Sequence, residues 1–298
     1  MYRNFEEMSK RAKEQGPCKA SILFPNDRDI MRMVVDGARQ GLIEPILVGP
    51  LKRIKQAARE GNFSLEGIEV REQEDPQQAA NLCLAMARKG EVSLVVKGNV
   101  LTTYLYRGLI RIAKEFSPSQ KPCTLCFHEI PGLEKIFVVT DGGVNIRPDL
   151  QTKKKILANA VMVLQRLGCA RPRIMILTAP RIFDEPSFYI RDAEALREHS
   201  LEGALGQCEI DIAKNLQEAF PERALDVERF PDLFLVPHIE VGNILVKSID
   251  HLGIGIRQCV TVGADIFVLT PSRSDGYETR MLNLSLGIVL ATPRRHEG

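Results

Sequence analysis

Short continuous apolar runs alternate along the chain with stretches whose apolar residues recur every three or four positions. Ala20-Ser21-Ile22-Leu23-Phe24 is strand-like, Pro25-Asn26-Asp27 supplies a turn and a cap, and Ile30, Met33, Val34 and Ala38 are spaced as on one helix face over 29–40. The unit repeats: Pro45–Val48 leads into a helix near 51–60, a strand near 68–70 into a helix over 76–88, and Val92–Lys97 into a helix over 101–114. Strands that are apolar throughout, set between amphipathic helices, predict a mainly parallel sheet covered on both faces.

The polar, proline-rich segment Ser117–Pro122 breaks this rhythm. Strands at 124–129 and 135–140, joined by Pro131-Gly132, predict a hairpin or long turn. Alternation then resumes: helix 153–167, strand 174–178, helix 210–220, strand 233–236, helix 241–251, strand 266–269 and helix 278–290. This is a second α/β unit, with no internal repeat, heptad array or low-complexity tract.

Composition narrows the function classes. A length of 298 residues fits two domains or one large one. Forty Lys and Arg against 38 Asp and Glu leave a net charge of +2, without the basic footprint of a nucleic-acid partner. The 44% apolar content is too high for a disordered chain. The uncharged stretch from Met281 to Pro293 spans 13 residues, short of the roughly 20 a membrane helix needs, and the charged N-terminus lacks the apolar run of a signal peptide. Seven scattered cysteines read as reduced thiols of a cytoplasmic protein. Cys123-x-x-Cys126 lies in an apolar run with no second ligand pair, so buried strand thiols are expected rather than a metal site.

In open α/β sheets ligands bind beyond the carboxyl ends of strands. Four predicted strand ends carry chemistry: Lys97-Gly98, Asp141-Gly142-Gly143, Pro237–Asn243 and Pro271–Asp275. Gly98, Gly142 and Gly242 permit close backbone approach or positive φ. The helix N-termini that follow favour an anion, and Lys97, Arg107 and Arg273 add charge. No GxxxxGK[ST] or strand-following GxGxxG supports a nucleoside triphosphate or dinucleotide. Each feature also has a plain reading: turn glycines, Glu240 at a helix N-terminus, Asn243 as a cap, Lys247 near a helix end, His238 as a satisfied histidine, and Arg273 with Asp275 as a surface pair. Together the four loops point to an anion-binding α/β protein.

Four segments in order carry a more specific resemblance. Ser272-Arg273-Ser274-Asp275-Gly276-Tyr277-Glu278-Thr279-Arg280 resembles the SRxDx[FY]ETK segment of phosphate butyryltransferases, within the phosphate acetyl/butyryltransferase family. Val236–Lys247 is similar to that family's VPxIEAGNxxxK segment, Val96–Thr103 with Arg107 to KGxVxT…R, and Thr140–Pro148 to TDGxxNIxP. The match runs from about residue 90 to the end; the first 90 residues match only in general pattern. The resemblance implies a two-domain, three-layer αβα fold with mainly parallel sheets, like isocitrate and isopropylmalate dehydrogenases. Residues 1–130 with 258–298 would form one domain and 131–257 the other, with the active site in the cleft between them. It implies reversible transfer of a short-chain acyl group between CoA and phosphate. Acyl-CoA, phosphate and acyl phosphate would be the partners, without metal or redox cofactor, nucleic acid or membrane, and the protein would be a homo-oligomer.

The same resemblance directs the roles. Asp275 is the expected base for the CoA thiol, with Glu240 the second candidate; Ser272 would donate to developing charge and Arg273 bind phosphate. Lys97, Gly98, Thr102, Thr103 and Arg107 would line the phosphate and acyl region, with Asp141, Asn145, Gly242, Asn243 and Lys247 as further substrate contacts. The chain departs from the family where Gly206-Gln207-Cys208-Glu209-Ile210-Asp211 loses the proline of GPLxxD, where Pro271 is inserted before Ser272, and over Ala179–Ser200. An alternative of another class is a non-catalytic acyl-CoA or acyl-phosphate binding protein of the same fold. A metal-dependent dehydrogenase would need an aspartate cluster and a nucleotide loop, which the sequence does not offer.

Overall fold

The computed structural model describes residues 2–178, 181–182, 185–186, 188–213, 218, 227–272 and 275–292; at 181–182, 185–186 and 188 it describes the backbone alone. The chain divides into two compact units, Phe5–Pro118 with Gln258–Gly298, and Met1–Asn4 with Ser119–Arg257.

The first unit opens with α1 (Phe5–Glu14), β1 (Cys18–Leu23), α2 (Arg28–Arg39), β2 (Ile43–Gly49), α3 (Leu51–Glu60), β3 (Glu69–Glu72), α4 (Pro76–Arg88), β4 (Leu94–Lys97) and α5 (Thr102–Phe116). The second unit holds β5 (Cys123–Glu129), β6 (Phe137–Thr140), α6 (Leu150–Arg166), β7 (Arg173–Leu177), β8 (Arg181–Ile182), β9 (Glu185–Pro186), α7 (Phe188–Leu201), β10 (Glu209–Ala213), β11 (Leu233–Leu235) and α8 (Ile239–Leu252). Strand β12 (Ile256–Gly263) leads back to the first unit, which closes with β13 (Ile266–Leu269) and α9 (Tyr277–Ala291).

Within the first unit the strand order is β12-β13-β4-β1-β2-β3, parallel throughout except for the antiparallel β12–β13 pair. All four residues of β4 are buried, as are all of β1 except Lys19, which is what a strand covered on both faces requires. Helices α4 and α5 pack on one face through Ala80, Cys83, Leu84, Leu105 and Leu109 against Leu23, Val48 and Val95. In the second unit the order is β10-β7-β11-β6-β5, parallel except for β5–β6. Aspartates start three of the helices: Asp27, Asp75 and Asp149 accept from the backbone amides of Ile30, Gln78 and Thr152.

The β5–β6 antiparallel pair, with Cys126 opposite Val139, is the expected hairpin around Pro131-Gly132. Cys123 and Cys126 are buried strand thiols, and burial raises the Cys123 thiol well above its ordinary value. The expected helix over 210–220 is corrected at its start, where Glu209–Ala213 is the edge strand β10; residues 214–217 and 219–220 lie outside the described residues. The strand's Glu-Ile-Asp-Ile order alternates with period two, the strand signal, and its charges suit an exposed edge. The unit boundary falls at Pro118/Ser119 rather than at 130, because β5 pairs with β6 and so lies in the second unit. Strand β12 and helices α1 and α7 add to the predicted set. No helix among the described residues is long and apolar enough to cross a membrane.

Candidate active site

In the first unit the parallel register brings the carboxyl ends of β1, β4 and β13 to one edge: Leu23 stands opposite Lys97, and Leu269 opposite Val96. The chain turns sharply there. Phe24 adopts φ +52°, and the amides of Gly98 and Asn99 donate to the carbonyls of Leu23 and Phe24 at 2.8 and 2.9 Å. A Cβ on Gly98 would collide with those carbonyls, and its φ is not positive. Gly98 therefore serves the close packing of this turn against β1, and not a positive φ.

Lys97 is 3% exposed, and its ammonium donates to the carbonyls of Pro271 at 3.1 Å and Gly98 at 3.3 Å. Lys97, expected to line the phosphate and acyl region, holds the loop after β13 through these donors. The inserted Pro271 is the residue whose carbonyl Lys97 grips. In that loop the Ser272 amide donates to Asp275 Oδ2 at 2.7 Å, and the Asp275 amide donates to the Ser272 carbonyl at 3.2 Å. Arg280, 3% exposed in the first turn of α9, donates through Nε to the Asp275 carbonyl at 2.9 Å and through Nη2 to the Ser272 carbonyl at 3.3 Å. Asp275 is half-buried, and its Oδ1 has no hydrogen-bond partner among the described residues. It lines an open cavity of about 540 Å³ with Asp27, Arg28, Asp29, Asn99 and Arg280. Arg273 lies outside the described residues.

Helix α5 begins without a capping side chain and with no acidic residue in its first turn, so its amide dipoles remain available to an anion. Thr102 is half-buried there, while Thr103 and Arg107 are exposed one turn apart.

In the second unit Asp141 and Asn145, expected as substrate contacts, hold each other and the turn after β6. The Thr140–Asp141 peptide is cis, and Asp141 is 2% exposed. Its Oδ1 accepts from the amides of Gly143, Val144 and Thr124 at 2.9, 3.1 and 3.2 Å, and its Oδ2 from Asn145 N and Nδ2 at 2.9 and 2.6 Å. Asn145 Nδ2 also donates to the Pro122 carbonyl at 2.8 Å. Burial pushes the Asp141 carboxyl up from its ordinary value, while the donors from Gly143 and Asn145 pull against that rise.

Gly242 is likewise a packing glycine: a Cβ would lie 2.7 Å from the Asp141 carbonyl and 3.0 Å from Val236 Cγ2, so α8 sits directly on the 141–142 turn. A Cβ on Gly142 would make only ordinary contacts, at 3.8 Å from the Gly242 carbonyl carbon and 3.9 Å from Val246 Cγ2. Glu240 is exposed in the first turn of α8, 2.8 Å from His238 Nδ1, and its own amide together with His238 lowers its carboxyl. Asn243 and Lys247 are exposed one turn apart on the same helix. Gly206 takes φ +79°, a conformation glycine adopts without cost, and the Gln207 carbonyl accepts from Gln165 Nε2 at 3.5 Å.

The sequence reading missed Asp27, Arg28 and Asn99 as cavity residues, and Arg280 as a support of the loop. The signal for Arg280 was present: it heads the buried face of α9, with Asn283, Leu284 and Gly287 following at helical spacing.

The family described as phosphate acetyl/butaryl transferase matches residues 75–264. A phosphate butyryltransferase of Clostridium beijerinckii is 24% identical over 298 residues, covering 98% of this chain and 99% of its own. A phosphate acetyltransferase of Rhizobium meliloti is 26% identical over 299 residues, covering 98% and 94%. Among solved structures, a phosphotransacetylase from Streptococcus pyogenes superposes with a TM-score of 0.79 at 17% identity, covering 97% of this chain and 99% of that one. A branched-chain phosphotransacylase from Enterococcus faecalis V583 does so with a TM-score of 0.73 at 22% identity, covering 92% and 99%. These two likenesses establish the shared α/β fold, and the sequence match, which spans more than half of the chain, places it in the phosphate acetyl/butaryl transferase family.

Proposed function

We propose that this phosphate acyltransferase interconverts a short-chain acyl-CoA plus phosphate with an acyl phosphate plus CoA, with Asp275 as the proton acceptor for the CoA thiol. The observation that carries the reading is the Asp275 carboxylate. One oxygen is fixed by the Ser272 amide, and the other, without a partner among the described residues, belongs to a group that lines a cavity. A free thiol with a pKa of about 8.5 is only slightly ionised at neutral pH, so a positioned base raises the reactive fraction.

When acyl phosphate is consumed, Asp275 takes the thiol proton and the thiolate attacks the acyl carbon. The C–S bond forms, the bond from carbon to the phosphate oxygen breaks, and phosphate leaves with the electron pair. Ser272 donates to the carbonyl oxygen as charge develops there. Thr102, Thr103, Arg107 and the open N-terminus of α5 offer donors and charge to the phosphate. In reverse, phosphate attacks the acyl-CoA carbonyl and the protonated Asp275 returns its proton to the departing thiolate. Carboxylate, hydroxyl and thiol complete this cycle with no resident metal or redox group, so turnover is expected to survive exhaustive chelation. The non-catalytic alternative draws no support from these relatives.

Asp275→Asn tests the assignment. The expected result is a loss of about 10²–10⁴-fold in kcat, with disappearance of the pH–rate limb that reports the base. An unchanged pH–rate profile would remove Asp275 from the role. Arg273→Ala with full transferase rate would equally overturn the phosphate-binding assignment of that residue.

A further inference from the structure

Two buried cations hold the loop that carries Ser272 and Asp275, and they hold it by its backbone. Lys97 takes the carbonyl of Pro271, and Arg280 takes those of Ser272 and Asp275. Arg280 occupies an unfavourable place for a cation. It is 3% exposed, lies in the first turn of α9 where the amide dipoles are positive, and forms no ion pair with a carboxylate among the described residues. What offsets this is the pair of carbonyls of Ser272 and Asp275, two residues that are also joined by the Ser272 amide on Asp275 Oδ2. One planar group therefore sets both the backbone of Asp275 and the amide that orients its carboxylate.

We propose that Arg280 is a positioning residue for the transfer. Its guanidinium fork aims Asp275 Oδ1 at the thiol and Ser272 at the acyl carbonyl, and it contributes little to substrate affinity. The inference rests on the reading of Asp275 as the proton acceptor. A lysine in its place keeps the charge, but its point-like ammonium does not reproduce a rigid fork spanning two carbonyls.

The test is a kinetic series on the full chain: Arg280→Lys, Arg280→Ala and Asp275→Asn, assayed with acyl phosphate and CoA well below the melting temperature. Because misplacement of about 1 Å can cost about 100-fold, Arg280→Lys is expected to lose about tenfold in kcat and Arg280→Ala about 100-fold. The KM values for both substrates should stay within about twofold, the pattern of an interaction realised only in the transition state. Millimolar guanidinium should restore kcat to Arg280→Ala, and ethylammonium should not. An Arg280→Lys enzyme with wild-type kcat, or losses confined to KM, would overturn the proposal. If Arg280→Ala does not fold, the Arg280→Lys kinetics decide alone. Asp275→Asn separates the two ideas. Full activity there removes the base assignment itself, whereas an inactive Asp275→Asn beside a fully active Arg280→Lys removes only the role of Arg280.

Discussion

Asp141 and Asp275 both follow the end of a strand and both sit in family motifs, yet their surroundings give them different work. Asp141 is enclosed and accepts five hydrogen bonds, so its lone pairs are spent on the turn that supports α8. Replacing it with alanine would leave several buried amides unpaired, and we expect Asp141→Ala to lower the unfolding free energy by about 3 kcal/mol, read from the urea midpoint. A change within about 0.5 kcal/mol would show the turn to be held by something else. His128 provides a second test at this scale. It is fully buried, stacks on Phe137 at 5.4 Å, lies 3.9 Å from Asp250 Oδ1, and neither ring nitrogen has a hydrogen-bond partner among the described residues. Burial, and then the nearby Arg257, lower its pKa from 6.5 to about 3. The unfolded chain therefore takes up a proton at His128 that the folded chain refuses. This contribution to stability is fully present above about pH 6.5 and falls as the pH drops toward about 3, by up to about 1.4 kcal/mol per pH unit. Urea unfolding across that range should show a shallower decline for His128→Leu than for the native chain; parallel curves would contradict the account.

At the scale of elements, aspartate caps fix where helices begin. Asp149 starts α6, and the side chain and amide of Thr152 hold its carboxyl below the ordinary value. A carboxyl lowered in the folded state stabilises above the ordinary carboxylate range and loses that contribution as the pH falls through it. Asp149→Ala should therefore cost about 1 kcal/mol at neutral pH, with the difference from the native chain shrinking in acid; a pH-independent difference would contradict the cap. The sequence made most strands and helices legible because burial on both faces writes continuous apolar runs, as in Leu94–Val96, and because turn residues such as Pro131-Gly132 mark their own geometry. Strand β10 was not legible as a strand because Ile210 and Ala213 also satisfy a helical spacing; the alternation of Glu209 and Asp211 with Ile210 and Ile212 was the better guide. Of the site, Ser272, Asp275 and the residues opening α5 could be found by their position after strands. The duties of Gly98, Lys97 and Asp141 could not, since they depend on which carbonyls and amides stand opposite, and pairing register decides that.

At the scale of the molecule, the near-neutral balance of 40 basic and 38 acidic residues conceals how differently the cations are used. Lys97 and Arg280 are buried and hold backbone, whereas Arg107 stays at the surface near the start of α5. Neither unit is continuous in sequence. The chain leaves the first at Pro118 and returns at Gln258, so the loop bearing Ser272 and Asp275 is made by its last part against strands made by its first. The central claim is acyl transfer between CoA and phosphate, and thiol release tests it most directly. The purified chain is incubated with acetyl-, propionyl-, butyryl- and isobutyryl-CoA, with and without phosphate, and free CoA is measured. The account predicts phosphate-dependent release from at least one of them, stoichiometric with acyl phosphate and lost in Asp275→Asn. Binding of these thioesters with no phosphate-dependent release from any of them would contradict it.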